Sequence, residues 1–298
     1  MKLISGSSNL PLATGIANYL DIEMVDIEIT KFSNGEKRVW IKNDVAGENI
    51  CFIQSFDRPV DENIIESLLI IDALERAGVK HINFIIPWMG YSLQDKVFRD
   101  GEPIAAKVIA NVISNTYVKR VSLLDLHNSS IPGFFSIPTH HILALKPFAQ
   151  YVESNFDLGE AVVVSPDFGG LKRARIFADT LSLELENIDK HRDLYTGKVT
   201  PKGLSGDVKD KICLIYDDVI NTGGTVVETA KFLKEKGAKE VHFLVTHGLF
   251  AGEGLDLMND DSIDSVVITN SVHHDNLPEK IKVIDVAPVL GESIKTWI

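Results

Sequence analysis

Apolar positions along the chain follow two periods. Short apolar runs, many rich in β-branched residues, occupy 2–5, 38–41, 50–56, 82–88, 121–126, 161–165, 212–217, 241–246 and 265–269, and each reads as a strand. Between them apolar residues recur three and four positions apart over 11–20, 61–77, 103–116, 146–154, 170–181, 225–236 and 288–297, which predicts helices. In the second of these, Ile64, Ile65, Leu68, Leu69, Ala73 and Leu74 form a stripe expected to face a core. Strand and helix patterns alternating from end to end predict α/β layers around mostly parallel sheets. Counting βα units divides the chain near residue 145, into 1–145 and 146–286. The least apolar long stretch, 189–207, reads as a mobile loop between two strands of the second half.

Composition narrows the function classes. With 298 residues, 45% of them hydrophobic, the chain is long enough for two domains with their own cores. A net charge of -12 opposes a nucleic-acid or anionic-membrane surface, so neither partner is expected. Cys51 and Cys213 each sit inside a strand-like run and are expected as buried thiols in a reducing compartment. The start, Met-Lys-Leu-Ile-Ser-Gly, shows no apolar signal core, and no run reaches the roughly 18 apolar residues of a membrane span. The expected location is the cytoplasm.

One segment concentrates chemistry. The apolar run Ile212-Cys213-Leu214-Ile215-Tyr216 leads directly into Asp217-Asp218 and then Asn221-Thr222-Gly223-Gly224-Thr225 at a helix start. Glycines there let backbone N–H groups approach an anion, the two threonines add hydroxyl donors, and the helix dipole favours negative charge. Paired carboxylates beside such a loop suit sugar hydroxyls or a divalent cation near a phosphorylated group. An acid and a tight glycine turn also appear in Ser165-Pro166-Asp167-Phe168-Gly169-Gly170, followed by Lys172 and Arg173, the outline of a second anion site.

The Asp-Asp and Thr-Gly-Gly-Thr segment resembles the phosphoribosyl-pyrophosphate fingerprint shared by type I phosphoribosyltransferases and ribose-phosphate pyrophosphokinases. Five further segments are similar to the pyrophosphokinases alone and cover nearly the whole chain: Phe32 to Glu36, Pro87 to Lys96, Leu124 to His127 with Gly133-Phe134-Phe135, the Ser-Pro-Asp loop, and Lys190-His191-Arg192. The resemblance implies two phosphoribosyltransferase-like α/β domains, each a mostly parallel sheet flanked by helices, with the terminal helix near 287–298 packing back on the first. It implies ATP and ribose 5-phosphate as substrates, Mg²⁺ as the metal, and a homodimer or homohexamer.

Carried over residue by residue, the resemblance assigns Lys190 and Arg192 to catalysis. It assigns Asp217, Asp218, Asn221, Thr222, Gly223, Gly224 and Thr225 to ribose 5-phosphate. Phe32, Asn34, Glu36, Gln94, Asp95 and His127 go to ATP, the first three reaching a neighbouring subunit's nucleotide, and His127 and Asp167 to the metal. Three positions depart from the family pattern. Asn34 and Asn221 stand where it has Asp, and Leu93 where it has Arg, which removes one cation from the nucleotide unless Lys96 or Arg99 replaces it. These departures leave open a catalytically weakened homologue acting as a regulatory or structural subunit, and the shared fingerprint leaves open a phosphoribosyltransferase.

Overall fold

The computed structural model describes residues 1–192 and 199–296, with the side chains of 190–192 and 199–202 outside the described set. The chain forms two compact units. The first comprises 1–143, 271–273 and 285–298, the second 144–270 and 274–284.

In the first unit the elements are β1 (Lys2–Ser5), α1 (Leu10–Leu20), β2 (Ile27–Lys31), β3 (Lys37–Ile41), β4 (Asn49–Ile53), α2 (Val60–Arg76), β5 (His81–Ile86), α3 (Ala105–Ser114), β6 (Val118–Leu124) and β7 (Thr139–Ile142). Five strands make a parallel sheet in the order β1-β4-β5-β6-β7, while β2 and β3 pair only with each other as an antiparallel hairpin. Phe52 on β4 is in register with Phe84 on β5, and their rings stack at 4.5 Å, filling the sheet face with aromatic area.

In the second unit the chain runs α4 (Leu145–Asn155), β8 (Ala161–Ser165), α5 (Leu171–Leu181), β9 (Leu185–Arg192), β10 (Val199–Leu204), β11 (Ile212–Ile220), α6 (Gly224–Glu235), β12 (Glu240–Gly248), α7 (Gly254–Leu257), β13 (Ser265–Thr269) and β14 (Ile281–Ile284). Their order is β10-β9-β8-β11-β12-β13-β14, parallel throughout except for the β9–β10 pair. Tyr216 on the central strand β11 stacks on Phe177 of α5 at 4.3 Å and meets Phe148 of α4 edge-on, which fixes both helices over the strand that carries the acid pair. The last helix, α8 (Ala287–Lys295), belongs to the first unit, where Tyr19 Oη of α1 donates to Glu292 and Ser293 Oγ lies 2.8 Å from His140 Nδ1.

Two expectations need correction. The stretch 189–207 is largely a β-hairpin, because β9 continues to Arg192 and β10 returns from Val199, leaving 193–198 outside the described residues. The α2 stripe is rotated from the one expected: Ile65 and Leu69 are 53% and 38% exposed, whereas Asn63, Ile64, Glu66, Ser67, Ile70, Ile71 and Leu74 are buried. Polar residues on the inward face hid it from an apolar pattern. Cys51 and Cys213 are both free and buried, and desolvation pushes the Cys213 thiol up to about 12.

Candidate active site

The acid pair lies at the carboxyl end of the most central strand of the second unit. β11 runs three residues further than expected, to Ile220, so Asp217 and Asp218 are strand residues. Only Asp218 is deeply buried, with its side chain 2% exposed against 31% for Asp217. Arg173 on α5 binds both: its Nη1 donates to Asp217 Oδ1 at 2.7 Å and also to Asp218 Oδ1. Asp217 Oδ1 further accepts the N–H of Asp218 at 2.9 Å. Desolvation of its partly covered side chain, followed by the charge of Asp218, raises the Asp217 carboxyl above its ordinary range, while Arg173 pulls it down. The guanidinium therefore holds two crowded carboxylates where a sugar diol could donate its O–H groups to their lone pairs.

The loop beyond the pair divides its glycines by cause. Gly223, at φ +82°, occupies a left-handed conformation, and a Cβ there would lie 2.7 Å from Met258 Cε, so the protein itself demands glycine. Gly224 opens α6 with an ordinary φ, and a Cβ added to it would meet nothing within 4 Å. Its missing side chain leaves open space at the N-terminus of the helix, where unpaired N–H groups suit an anion. Thr222, Gly224 and Thr225 are exposed along this rim, and Asn221 is tied down through its carbonyl, which accepts the N–H of Ala251 at 2.7 Å.

The Ser-Pro-Asp loop is braced from within. Asp167 Oδ1 accepts the N–H of Gly170 at 2.9 Å, and the Asp167 carbonyl accepts from Ser165 Oγ at 2.7 Å. Of the two basic residues after it, Arg173 serves the acid pair, so the second anion site keeps only Lys172 from that couple. On the backbone of β9, Lys190 is in register with Pro201 and Arg192 with Val199; their side chains lie outside the described residues.

In the first unit the nucleotide-type residues fall on two constructions. Phe32, Asn34 and Glu36 form the exposed tip of the β2–β3 hairpin, where Asn34 Oδ1 accepts the N–H of Glu36 at 3.2 Å and the Phe32 ring is 53% exposed. Gln94 and Asp95 follow β5, and His127 follows β6, its neighbour in the sheet. Asn128 Nδ2 donates to Asp95 Oδ2 at 2.5 Å and so joins these two loops. The chain bends at Asp125, with φ +36°, and the N–H of Leu126 donates to His141 Nε2 at 2.9 Å. His141 thus braces the turn that presents His127, a role that the sequence offered no sign of. Among the described residues no group of three or more His, Cys, Asp or Glu side chains is assembled for a metal, and His127 and Asp167 belong to different units.

A parallel sheet with paired acids at its carboxyl edge and an open glycine at the next helix start defines an α/β protein of the phosphoribosyl-binding class. Residues 1–116 match the family described as the N-terminal domain of ribose phosphate pyrophosphokinase, and residues 194–297 the phosphoribosyl synthetase-associated domain. A ribose-phosphate pyrophosphokinase of Thermotoga maritima is 41% identical over 99% of this chain and 94% of its own, and one of Aquifex aeolicus 37% over 99% and 95%. The crystal structure of phosphoribosylpyrophosphate synthetase from Mycobacterium smegmatis superposes with a TM-score of 0.92 at 32% identity, covering 99% of this chain and 98% of that one. The chain belongs to the ribose-phosphate pyrophosphokinase family.

Proposed function

We propose that this protein transfers the β,γ-pyrophosphoryl group of ATP to the anomeric hydroxyl of ribose 5-phosphate, giving 5-phosphoribosyl 1-pyrophosphate and AMP. The observation that carries the reading is the arrangement at the end of β11: two carboxylates clasped by Arg173, followed by a helix N-terminus kept open at Gly224. Asp217 and Asp218 take the ribose hydroxyls. Asn221, Thr222, Gly223, Gly224 and Thr225 take the 5-phosphate.

The anomeric oxygen attacks the β-phosphorus, the bond from that phosphorus to the bridging oxygen of AMP breaks, and the anomeric proton passes to solvent. Such a transfer needs alignment and charge neutralisation rather than a covalent intermediate. Lys190 and Arg192 supply cations to the moving group. Phe32, Asn34 and Glu36 contact the base, Gln94, Asp95 and His127 the rest of the nucleotide, and the hairpin's role brings in a neighbouring subunit of a homodimer or homohexamer.

Mg²⁺ suits this donor set because it keeps several waters and binds through one or two protein groups plus substrate phosphates, so no protein cage is needed. Asp167 would hold it, and it would neutralise charge on the triphosphate. The family match across 99% of the chain favours synthesis over a phosphoribosyltransferase, whose fingerprint occupies the second half alone.

The test is release of AMP from ATP, Mg²⁺ and ribose 5-phosphate, with the sugar phosphate omitted as a control. AMP formation that depends on the sugar supports the reading. Its absence favours the weakened-subunit alternative, and product from a free base with phosphoribosyl pyrophosphate but no ATP would select the transferase.

A further inference from the structure

The inward face of α2 carries a carboxylate that the reaction does not use. Glu66 is fully buried and accepts four hydrogen bonds: Oε1 from the Ser7 N–H at 2.6 Å and Gln54 Nε2 at 2.9 Å, Oε2 from Ser7 Oγ at 2.7 Å and Lys37 Nζ at 2.5 Å. Lys37 is itself only 10% exposed, although it is the residue immediately after the nucleotide-type tip Phe32 to Glu36. On the other side of the tip stands Lys31, directly across the hairpin from Lys37, and its Nζ binds Glu62 at 2.6 Å, one helical turn before Glu66. Two like charges facing each other across an antiparallel pair repel. Here Lys31 is turned onto Glu62, and Lys37 onto Glu66 with Glu62 a longer contact at 3.8 Å.

This clamp sits where the hairpin otherwise has least support. Among the described residues β2 and β3 pair with no other strand, and an isolated two-stranded hairpin is marginal in water. Its apolar face, Ile27, Ile29, Val39 and Ile41, packs on the core toward the base, whereas the tip-proximal residues Lys31 and Lys37 are held by charge. We propose that Lys37 and Glu66 are positioning residues for nucleotide recognition: the buried ion pair fixes the tip bearing Phe32, Asn34 and Glu36 and thereby sets the enzyme's preference among nucleoside triphosphates. This rests on the assignment of the tip to ATP.

The experiment uses the full chain with Lys37→Met, Lys37→Arg and Glu66→Gln. Lys37→Met keeps the stem of the side chain and removes its charge. It is expected to raise KM for ATP about ten- to a hundredfold, since small misplacements of positioning groups carry effects of that size. KM for ribose 5-phosphate stays unchanged, and the ATP-over-GTP ratio of kcat/KM shrinks. Lys37→Arg restores both, which a role in general stability would not produce.

Hydrogen exchange supplies an arm independent of catalysis: amides of β2 and β3 exchange faster in Lys37→Met while those of β4 and β5 do not. Unchanged exchange together with an unchanged ATP-over-GTP ratio overturns the inference, as does an equal rise of KM for both substrates. If Glu66→Gln fails to fold, Lys37→Met carries the same test. Absence of AMP from the wild type would instead overturn the assigned reaction, leaving the exchange measurement to decide the clamp.

Discussion

Replacing Gly224 by alanine separates what the protein needs from what its substrate needs. The position has no left-handed φ and nothing lies within 4 Å of the added Cβ, so the fold meets no clash. Alanine at a compatible helical position lowers the entropy of the unfolded chain, so the variant is expected to be more stable by about 0.4–1 kcal/mol. The same methyl would stand at the N-terminus of α6, where the 5-phosphate is assigned. Losing one charge-assisted hydrogen bond costs about 1.5–3 kcal/mol, which raises KM for ribose 5-phosphate roughly ten- to a hundredfold.

Gly223→Ala is the control. At φ +82° with a Cβ 2.7 Å from Met258 Cε it loses stability first, by about 1–2 kcal/mol from the left-handed backbone alone. Thermal unfolding and steady-state kinetics on both variants read the two effects. A Gly224→Ala enzyme with unaltered KM for ribose 5-phosphate would refute the assignment of the cradle, whatever its stability.

Other perturbations follow from the same geometry. Asp217 binds a proton more tightly folded than at its reference value of 3.8, so its contribution to stability is complete below that value and is lost as pH rises through its raised folded value. Because hydroxyl binding wants the ionised pair, kcat/KM for ribose 5-phosphate should climb across that window, and Arg173→Gln should move the climb to higher pH; superimposable profiles would discard the guanidinium's role. Leu93→Arg supplies the cation that the family resemblance implies at this position and should lower KM for ATP by about tenfold, one charge-assisted contact, with no change toward the sugar; an unchanged KM would show that the position does not reach the nucleotide. Lys190→Ala should depress kcat far more than it weakens ribose 5-phosphate, measured by comparing turnover with direct sugar binding, and a pure binding defect would count against catalysis by that side chain.

Most parallel strands were legible because they are buried and read as unbroken apolar runs, and the helices because spacing marks one face. β2, β7, β9, β10 and β14 escaped for a shared reason: each mixes polar with apolar residues, as in Ile281-Lys282-Val283-Ile284, so no continuous run announces them. The acid pair and its glycine loop were visible because all their parts are consecutive. The pairing of Arg173 with those acids was not, since it spans 44 and 45 positions of sequence and is created only when α5 packs beside β11. The same holds for His141 under Leu126 and for Glu66, whose burial contradicts its residue type and is understood only from the four donors around it.

The most direct test follows phosphorus atoms. With ATP labelled separately at the α, β and γ positions, and with Mg²⁺ and ribose 5-phosphate, the account expects β and γ label to appear together on the sugar and α label only in AMP. Transfer of γ label alone with release of ADP, or appearance of β and γ label as free pyrophosphate without sugar product, would contradict it.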